Sequence, residues 1–147
     1  MTPAPDFDAL VEAHSAEIFT YLWRLLRDAA DAEDCLQETF LRAYRAYARL
    51  DGRTHRRAWL YKIASNTART HFQRRRRTAA RTADLDPDLV AVSEPLPDHV
   101  QTRETLAAVL RAVEALPPHQ RAALILRTYQ GLSYAAIAAA LDCTEAA

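Results

Sequence analysis

Glycine is scarce in this 147-residue chain, which contains only two. Alternating runs of valine, isoleucine and threonine, the pattern typical of half-buried strands, are also missing. Alanine, leucine and arginine are abundant instead, and all three favour the α-helix. The sequence therefore predicts an all-α protein, with enough hydrophobic residues, 50% of the chain, for one modest core or two small ones.

Cysteine is equally scarce. Cys35 and Cys143 lie far apart, with no CxxC motif and no nearby histidine pair, so the sequence predicts neither a disulfide framework nor a zinc site. The motifs of common enzymes are missing too, because there is no phosphate-binding glycine loop, no HExxH and no suggestive Ser/His/Asp or Cys/His spacing. We therefore expect no catalytic activity and no metal or other cofactor.

No apolar run approaches the length needed to span a membrane. The first ten residues, MTPAPDFDAL, are acidic, unlike the basic and then apolar start of a signal peptide. We expect a cytoplasmic protein without membrane insertion.

Charge is balanced over the whole chain but segregated along it. The net charge is −4 over residues 1–50, +9 over residues 51–82, −5 over residues 83–105 and zero over residues 106–147. In the basic segment the cations alternate with the aromatic rings of Trp59, Tyr61, His71 and Phe72. Guanidinium groups neutralise phosphates and aromatic faces stack on unpaired bases, so this segment is a candidate nucleic-acid site. The alternative is a solvated arginine face on an ordinary helix.

Two amphipathic helices are predicted before the basic segment. Apolar residues recur at steps of three and four over residues 6–27, which indicates the first helix. Asp31 is expected to cap the second helix, whose buried stripe is formed by Leu36, Phe40, Ala43, Tyr44, Tyr47 and Leu50.

The other side of the second helix carries an acidic strip, defined by Asp34, Gln37, Glu38 and Leu41, with Asp31 at its start. Three interpretations are open: a metal site, an ordinary solvated face and a protein-docking surface. A metal site is the weakest, because carboxylates on one convex helix cannot surround an ion without ligands from elsewhere.

A third helix is predicted from about Ala58 to the arginine run that ends at Arg77. Trp59 suits either the core or a platform for a base, and the amide of Asn66 suits either base-edge hydrogen bonding or a contact that stabilises the helix. Residues 78–103 contain three prolines and an acidic bias, which predicts a linker between two domains.

Helical periodicity resumes after residue 104. Within this C-terminal part, one helix is predicted to start at the Pro117-Pro118 pair and to end at Gly131. Ser133 is expected to cap a short helix that follows it. Two helices joined by a tight, glycine-containing turn are typical of the front half of a helix-turn-helix.

Three segments together, DAEDCLQETFLRAY, WLYKIASN and ALPPHQRAALILRTYQGLSYAAIAAALDCTEAA, resemble bacterial sigma factors of the extracytoplasmic-function group. These proteins carry only the second and fourth conserved regions of the sigma-70 family. The resemblance implies region 2 over residues 1–77, a flexible linker over residues 78–103 and region 4 over residues 104–147. It implies a protein that binds core RNA polymerase, recognises and opens promoters, and has a further possible partner, an anti-sigma factor.

By this resemblance the acidic strip docks on the clamp coiled coil of the largest polymerase subunit. The segment from Asp51 to Asn66 would read and melt the minus-ten element as an unpaired non-template strand, with the pocket for a flipped base in the loop from Leu50 to Arg57. The residues implied in DNA binding are Arg53, Arg56, Arg57, Trp59, Tyr61, Lys62, Asn66, Arg69, Arg74, Arg75, Arg76 and Arg77. Binding of the flipped base in a pocket offsets the free energy needed to unstack it, roughly a few kcal/mol.

Two features depart from the family pattern. Ala136 stands where the family usually has glutamate, which removes a capping-box partner for Ser133. The sequence ends at Ala147, in the first turn of the expected recognition helix, so region 4 is predicted to be incomplete and the apolar stripe of Ile137, Leu141, Leu124 and Leu126 to lack cover.

The alternative function is a stand-alone helix-turn-helix regulator, which would leave the acidic strip and the basic segment unexplained.

Overall fold

The structure is a computed structural model that describes residues 5–51, 55–81 and 100–143. All regular structure in these ranges is helical, which confirms the all-α prediction. The helices are α1 (Pro5–Leu26), α2 (Ala29–Tyr47), α3 (Arg56–Arg81), α4 (Val100–Ala115), α5 (Pro118–Thr128) and α6 (Tyr134–Leu141). None of them is long and apolar enough to cross a membrane.

The turn between α1 and α2 differs from the sequence prediction. Arg27 adopts a left-handed conformation with φ 58° and ends α1. Asp28 then caps α2, because its backbone is extended and its side chain accepts a hydrogen bond from the Asp31 amide at 3.0 Å. The prediction that Asp31 is the cap is therefore wrong. Asp31 lies in the first turn and faces α3, where its Oδ2 is 3.3 Å from both His71 Nε2 and Arg75 Nη2.

Helix α3 is longer than predicted at both ends, since it begins at Arg56 and continues to Arg81. Leu60, Ala64 and Ala68 are fully buried along one side of it. The helix packs against α1, α2 and α6, so it touches both halves of the molecule. Its last two turns, with the arginine run, extend into solvent.

Helices α5 and α6 form the predicted helix-turn-helix front half. Pro118 occupies the first helical position of α5, where a missing N–H costs nothing. Ser133 caps α6 as predicted, because its Oγ accepts from the Ala136 amide at 3.1 Å, and the absence of a glutamate at position 136 does not prevent this. The turn between the helices uses Gly131 at φ 67°, a conformation that favours glycine.

The two halves share one continuous core. Helix α6 packs on α3 and α5 packs on α1, which leaves Leu126 fully buried and Ile137 and Leu141 at most 9% exposed. The expectation that this apolar stripe lacks cover is therefore wrong for these residues, because helices α1 and α3 supply the apolar surface. Only Leu124 of the stripe, 40% exposed, remains accessible.

Candidate polymerase-docking and nucleic-acid surfaces

The acidic strip lies on the exposed side of α2. Asp34 and Gln37 are exposed, and Leu41 is 51% exposed, which is unusual for a leucine in a helix that packs on two others. The Glu38 carboxylate accepts a hydrogen bond from Arg42 Nε at 2.9 Å, one turn along the helix. The backbone thus presents the four side chains of the strip together at one surface.

An apolar recess adjoins the strip and was not anticipated. It is lined by Phe7, Gln37, Phe40, Leu41 and Tyr44. Helical periodicity assigned Tyr44 to the core, but its side chain is 47% exposed and meets the Phe7 ring edge-on at a centroid distance of 5.3 Å. Leu41 and Tyr44 are three residues apart in sequence, so their adjacency on the helix surface was the available signal.

A second site lies between α3 and α1, where Arg57 and Tyr61 of α3 contact α1. The Glu17 carboxylate accepts hydrogen bonds from Arg57 Nε and from the Tyr61 hydroxyl, both at 2.7 Å, and lies 3.2 Å from His14 Nδ1. Tyr61 is fully buried, so in this conformation its ring cannot stack on a base.

The pKa shifts at this site favour the charged forms of Glu17 and Arg57. Burial raises the pKa of Glu17, but the hydrogen bonds from Tyr61, Arg57 and His14 outweigh burial and leave the pKa below its usual value. Burial raises the pKa of the Tyr61 hydroxyl well above its ordinary range. Burial lowers the pKa of Arg57, but the Glu17 carboxylate raises it by more, so the guanidinium is held in its charged form.

Gln130, at the turn between α5 and α6, connects these two helices to this site. Its Nε2 donates to the Tyr61 hydroxyl at 2.8 Å and to the Glu17 carbonyl at 3.0 Å, and its Oε1 accepts from Arg24 Nη1 at 2.8 Å. Its backbone carbonyl accepts from Arg57 Nη2 at 2.9 Å. These residues were not identified as a group from the sequence, because they lie on two separate helices, α1 and α3, and in a turn.

Two more predicted DNA-binding residues lie beside helices α5 and α6. Lys62 Nζ is 3.1 Å from Asp142 Oδ1, which follows the end of α6. Asn66 accepts a hydrogen bond from Arg69 at 2.9 Å, and both line a small cleft between α3 and helices α5 and α6.

The other predicted DNA-binding residues are placed differently. Trp59 is partly buried and packs against the core, with its ring centroid 6.5 Å from that of Tyr47. Arg56 lies over the Tyr47 ring at 5.6 Å, and Arg75 pairs with Asp31. Arg74, Arg76 and Arg77 are exposed, whereas Arg53 lies outside the described residues. DNA contact by any of these residues stays a prediction.

No group of three or more histidine, cysteine or acidic side chains is arranged to hold a metal ion within residues 5–51, 55–81 and 100–143.

Comparison with known families assigns both halves of the chain. Residues 10–78 match the family model for sigma-70 region 2, and residues 106–147 match the model for sigma-70 region 4. The RNA polymerase sigma-H factor of Pseudomonas aeruginosa is 34% identical over 145 residues, which cover 93% of this chain and 75% of that protein. The chain belongs to the extracytoplasmic-function group of RNA polymerase sigma factors.

Another relative is similar in sequence, and two solved structures are similar in fold. The ECF RNA polymerase sigma factor SigE of Mycolicibacterium smegmatis is 35% identical over 93% of this chain, which spans 53% of that relative. The sigma factor RpoE of Bartonella quintana, solved in complex with the anti-sigma factor NepR, superimposes with a TM-score of 0.75 at 22% identity, covering 97% of this chain and 87% of that one. CnrH, solved with the cytosolic domain of CnrY, gives a TM-score of 0.63 at 23% identity, covering 95% and 75%. The predicted sigma-factor identity is confirmed, and the stand-alone regulator is not favoured.

Proposed function

We propose that this sigma factor binds core RNA polymerase through the exposed side of α2 and then uses α3, with the loop before it, to open the minus-ten element of promoters. The observation that carries this proposal is the surface formed by the acidic strip and the adjoining apolar recess. Leu41 and Tyr44 are exposed there, and Asp34 and Glu38 precede Leu41 on the same side of α2.

This surface has the composition of a protein-docking site. An apolar centre contributes affinity when water leaves it, and charged groups around it set orientation and the choice of partner. Leu41 provides the centre, and Asp34 and Glu38 provide negative charge next to it. A basic surface with an apolar centre, such as the proposed clamp coiled coil, would complement it.

Strand opening depends on the basic side of the molecule. Arg56, Arg69 and the exposed arginines of the last turns of α3 are proposed to hold phosphates of the non-template strand, and the loop between Leu50 and Arg57 to hold a flipped base. Unstacking a base costs a few kcal/mol, roughly, and phosphate contacts together with the base pocket would repay it. The chain would supply binding energy and position, while the polymerase supplies the chemistry.

The docking proposal is tested by reversing one charge of the strip. Glu38→Arg should abolish co-purification with core polymerase, because it places positive charge against a basic partner. The matched control is Glu12→Arg, the same reversal at an exposed position of α1. Loss of the pair with Arg42 should cost the fold only about 0.5 kcal/mol or less, since both side chains are more than a third exposed.

Circular dichroism of each variant checks that the helices remain. If Glu38→Arg binds core as well as the native chain does, the docking surface is assigned wrongly. If both variants lose binding, the strip has no special role and net charge alone explains the effect.

An anti-sigma factor is proposed as a third partner, as in the complex of the Bartonella relative. An exposed apolar groove between α1, α4 and α5, lined by Trp23, Val109 and Tyr129 among others, is available for it. Such a factor should compete with core polymerase for this chain, and Val109→Glu should weaken the competition without changing the affinity for core.

A further inference from the structure

The groove between α1, α4 and α5 gathers most of the exposed apolar side chains of the protein. Of the nine large hydrophobic residues that are exposed within residues 5–51, 55–81 and 100–143, six line this groove. They are Trp23, Leu106, Val109, Leu110, Leu124 and Tyr129. Single apolar residues scattered over a surface are normal, whereas a contiguous patch marks a site where something binds.

The groove has the size of a small-molecule site. Its volume is about 420 Å³, and pockets that hold small molecules typically measure ~300–1,000 Å³. Helix α4 packs only sparsely on its neighbours in the part of the chain that the structure describes. Its apolar stripe from Leu106 to Val113 therefore forms an open wall of the groove. With a rise of about 1.5 Å per residue, this stripe is roughly 10 Å long.

The lining of the groove is also positively charged. Arg24, Arg27 and Arg121 line it together with one acidic residue, Glu114, which gives a net charge of +2. Arg27 Nε lies 3.7 Å from the Glu114 carboxylate, and both side chains are about half exposed, so solvent weakens this pair. An anion in the groove would therefore be attracted.

Arg121 is the residue best suited to hold that anion. Its Nη1 lies 3.4 Å from the Glu114 carbonyl oxygen, near the end of α4. Its Nε is buried and has no hydrogen-bond partner among the described residues. Burial lowers the pKa of Arg121, and the charge of Glu114 raises it by less. This guanidinium is thus incompletely neutralised, and the two oxygens of a carboxylate match its planar fork.

We propose that this groove binds a free single-chain carboxylate amphiphile, with its carboxylate at Arg121 and its hydrocarbon chain along the apolar side of α4. Arg121 lies at the Glu114 end of α4, and the apolar stripe runs from there back to Leu106. The cation and the apolar wall thus follow one another as the two parts of such a ligand do. An inorganic anion would leave the stripe uncovered, and an uncharged lipid would leave Arg121 without a partner.

This ligand site does not depend on polymerase or promoter binding. A bound amphiphile would exclude the anti-sigma factor proposed for the same groove, because the two would cover the same side chains, Trp23, Val109 and Tyr129.

The test uses monomeric octanoate, together with an octanoate that is brominated on its chain. Trp23 lines the groove and is 41% exposed, so a bromine atom bound there should quench its fluorescence in a saturable way. Trp23→Phe should remove the saturable quenching, because the other tryptophan, Trp59, does not line the groove. Unlabelled octanoate should displace the probe. Octanol, which has the same chain without the charge, should displace it at least about tenfold less well.

The variants separate the two ends of the ligand. Arg121→Gln should weaken octanoate binding about tenfold and leave octanol binding unchanged, because it removes only the charged contact. Arg121→Lys keeps the charge and should keep the preference for octanoate over octanol, which a merely structural role of Arg121 does not predict. Val109→Asn should weaken both ligands. Arg111→Gln is the matched control, since Arg111 is exposed on α4 and does not line the groove.

Absence of saturable quenching would overturn the proposal, as would equal displacement by octanoate and octanol. Equal losses in Arg121→Gln and Arg111→Gln would also overturn it, because net charge alone would then explain the binding. Vesicles that contain phosphatidylglycerol test a membrane as the source of the same chemistry. Association with vesicles without binding of monomeric octanoate would contradict a site for a free ligand.

Circular dichroism establishes that the variants keep their helices. All of these measurements use the free, full-length chain without core polymerase. The docking proposal fails separately, through the Glu38→Arg experiment.

Discussion

Removing the charge of Glu17 should destabilise the protein by an amount that depends on pH. The carboxylate accepts two hydrogen bonds of 2.7 Å, from Arg57 Nε and the Tyr61 hydroxyl, and has His14 beside it. A hydrogen bond to a charged group is worth about 1.5–3 kcal/mol. The Arg57 side chain is 36% exposed, so its share must be reduced for solvent screening. We expect Glu17→Gln to lower the free energy of unfolding by about 2 kcal/mol, mostly through the contact with Tyr61.

For a domain of this size, about 2 kcal/mol corresponds to a decrease in Tm of about 4–8 °C. The assay is thermal unfolding followed by far-UV circular dichroism. Glu12→Gln is the matched control, because Glu12 is exposed on the same helix. Its Tm should stay within about 1–2 °C of the native value.

The pH dependence gives the sharper test. The pKa of Glu17 is lowered from its ordinary value of 4.5 on folding, so the folded protein holds the carboxylate in its charged form. Its contribution to stability is therefore fully present above pH 4.5 and is lost as the pH falls through the lower folded pKa. The Tm difference between the native chain and Glu17→Gln should be constant near neutral pH and shrink at acid pH. A difference that is absent at pH 7, or that grows on acidification, would refute this reasoning.

Two further predictions concern DNA and thiol reactivity. In the complex with core polymerase, the unpaired non-template minus-ten strand should bind more tightly than the matched duplex. Arg56→Ala should reduce the slope of log affinity against log salt concentration by about 0.7, for one lost phosphate contact. Equal affinity for strand and duplex would favour a stand-alone duplex binder instead. Burial raises the pKa of Cys35 to about 11, so a thiol reagent at mildly alkaline pH should modify the half-buried Cys143 and leave Cys35 intact until the protein unfolds. Equal reaction rates at the two cysteines would contradict the burial of Cys35.

The sequence predicted what depends on local pattern. Helix periodicity and the Ser133 cap, which the structure confirms, are set by residues within one or two turns of each other. The cap of α2 was misplaced because Asp28 and Asp31 are both suitable residues, and the left-handed turn that decides between them uses Arg27 rather than glycine. Local pattern alone could not distinguish them.

The contact between region 4 and α3 could not be predicted in the same way. Gln130 and Tyr61 are separated by 69 positions in sequence, and no periodicity links a turn glutamine to a buried tyrosine. Tyr61 was assigned to DNA because it lies among cations, and the structure buries it under Glu17 and Gln130. The candidate surface was thus located from composition, whereas the packing of Gln130 against Tyr61 was not.

The chemistry of this contact determines how it would respond to salt and to DNA. Arg57 and Lys62 are paired with a carbonyl oxygen and carboxylates, and a DNA strand would offer phosphate oxygens to the same donors. Exchanging one oxygen partner for another leaves the number of hydrogen bonds nearly unchanged, so the net free energy of the exchange is small compared with either set of contacts. Salt weakens both the ion pair between Lys62 and Asp142 and the binding of a strand. The affinity for the strand falls more steeply with salt, because several phosphates are involved. Added salt should therefore lower strand affinity even though it weakens the ion pair that competes for Lys62.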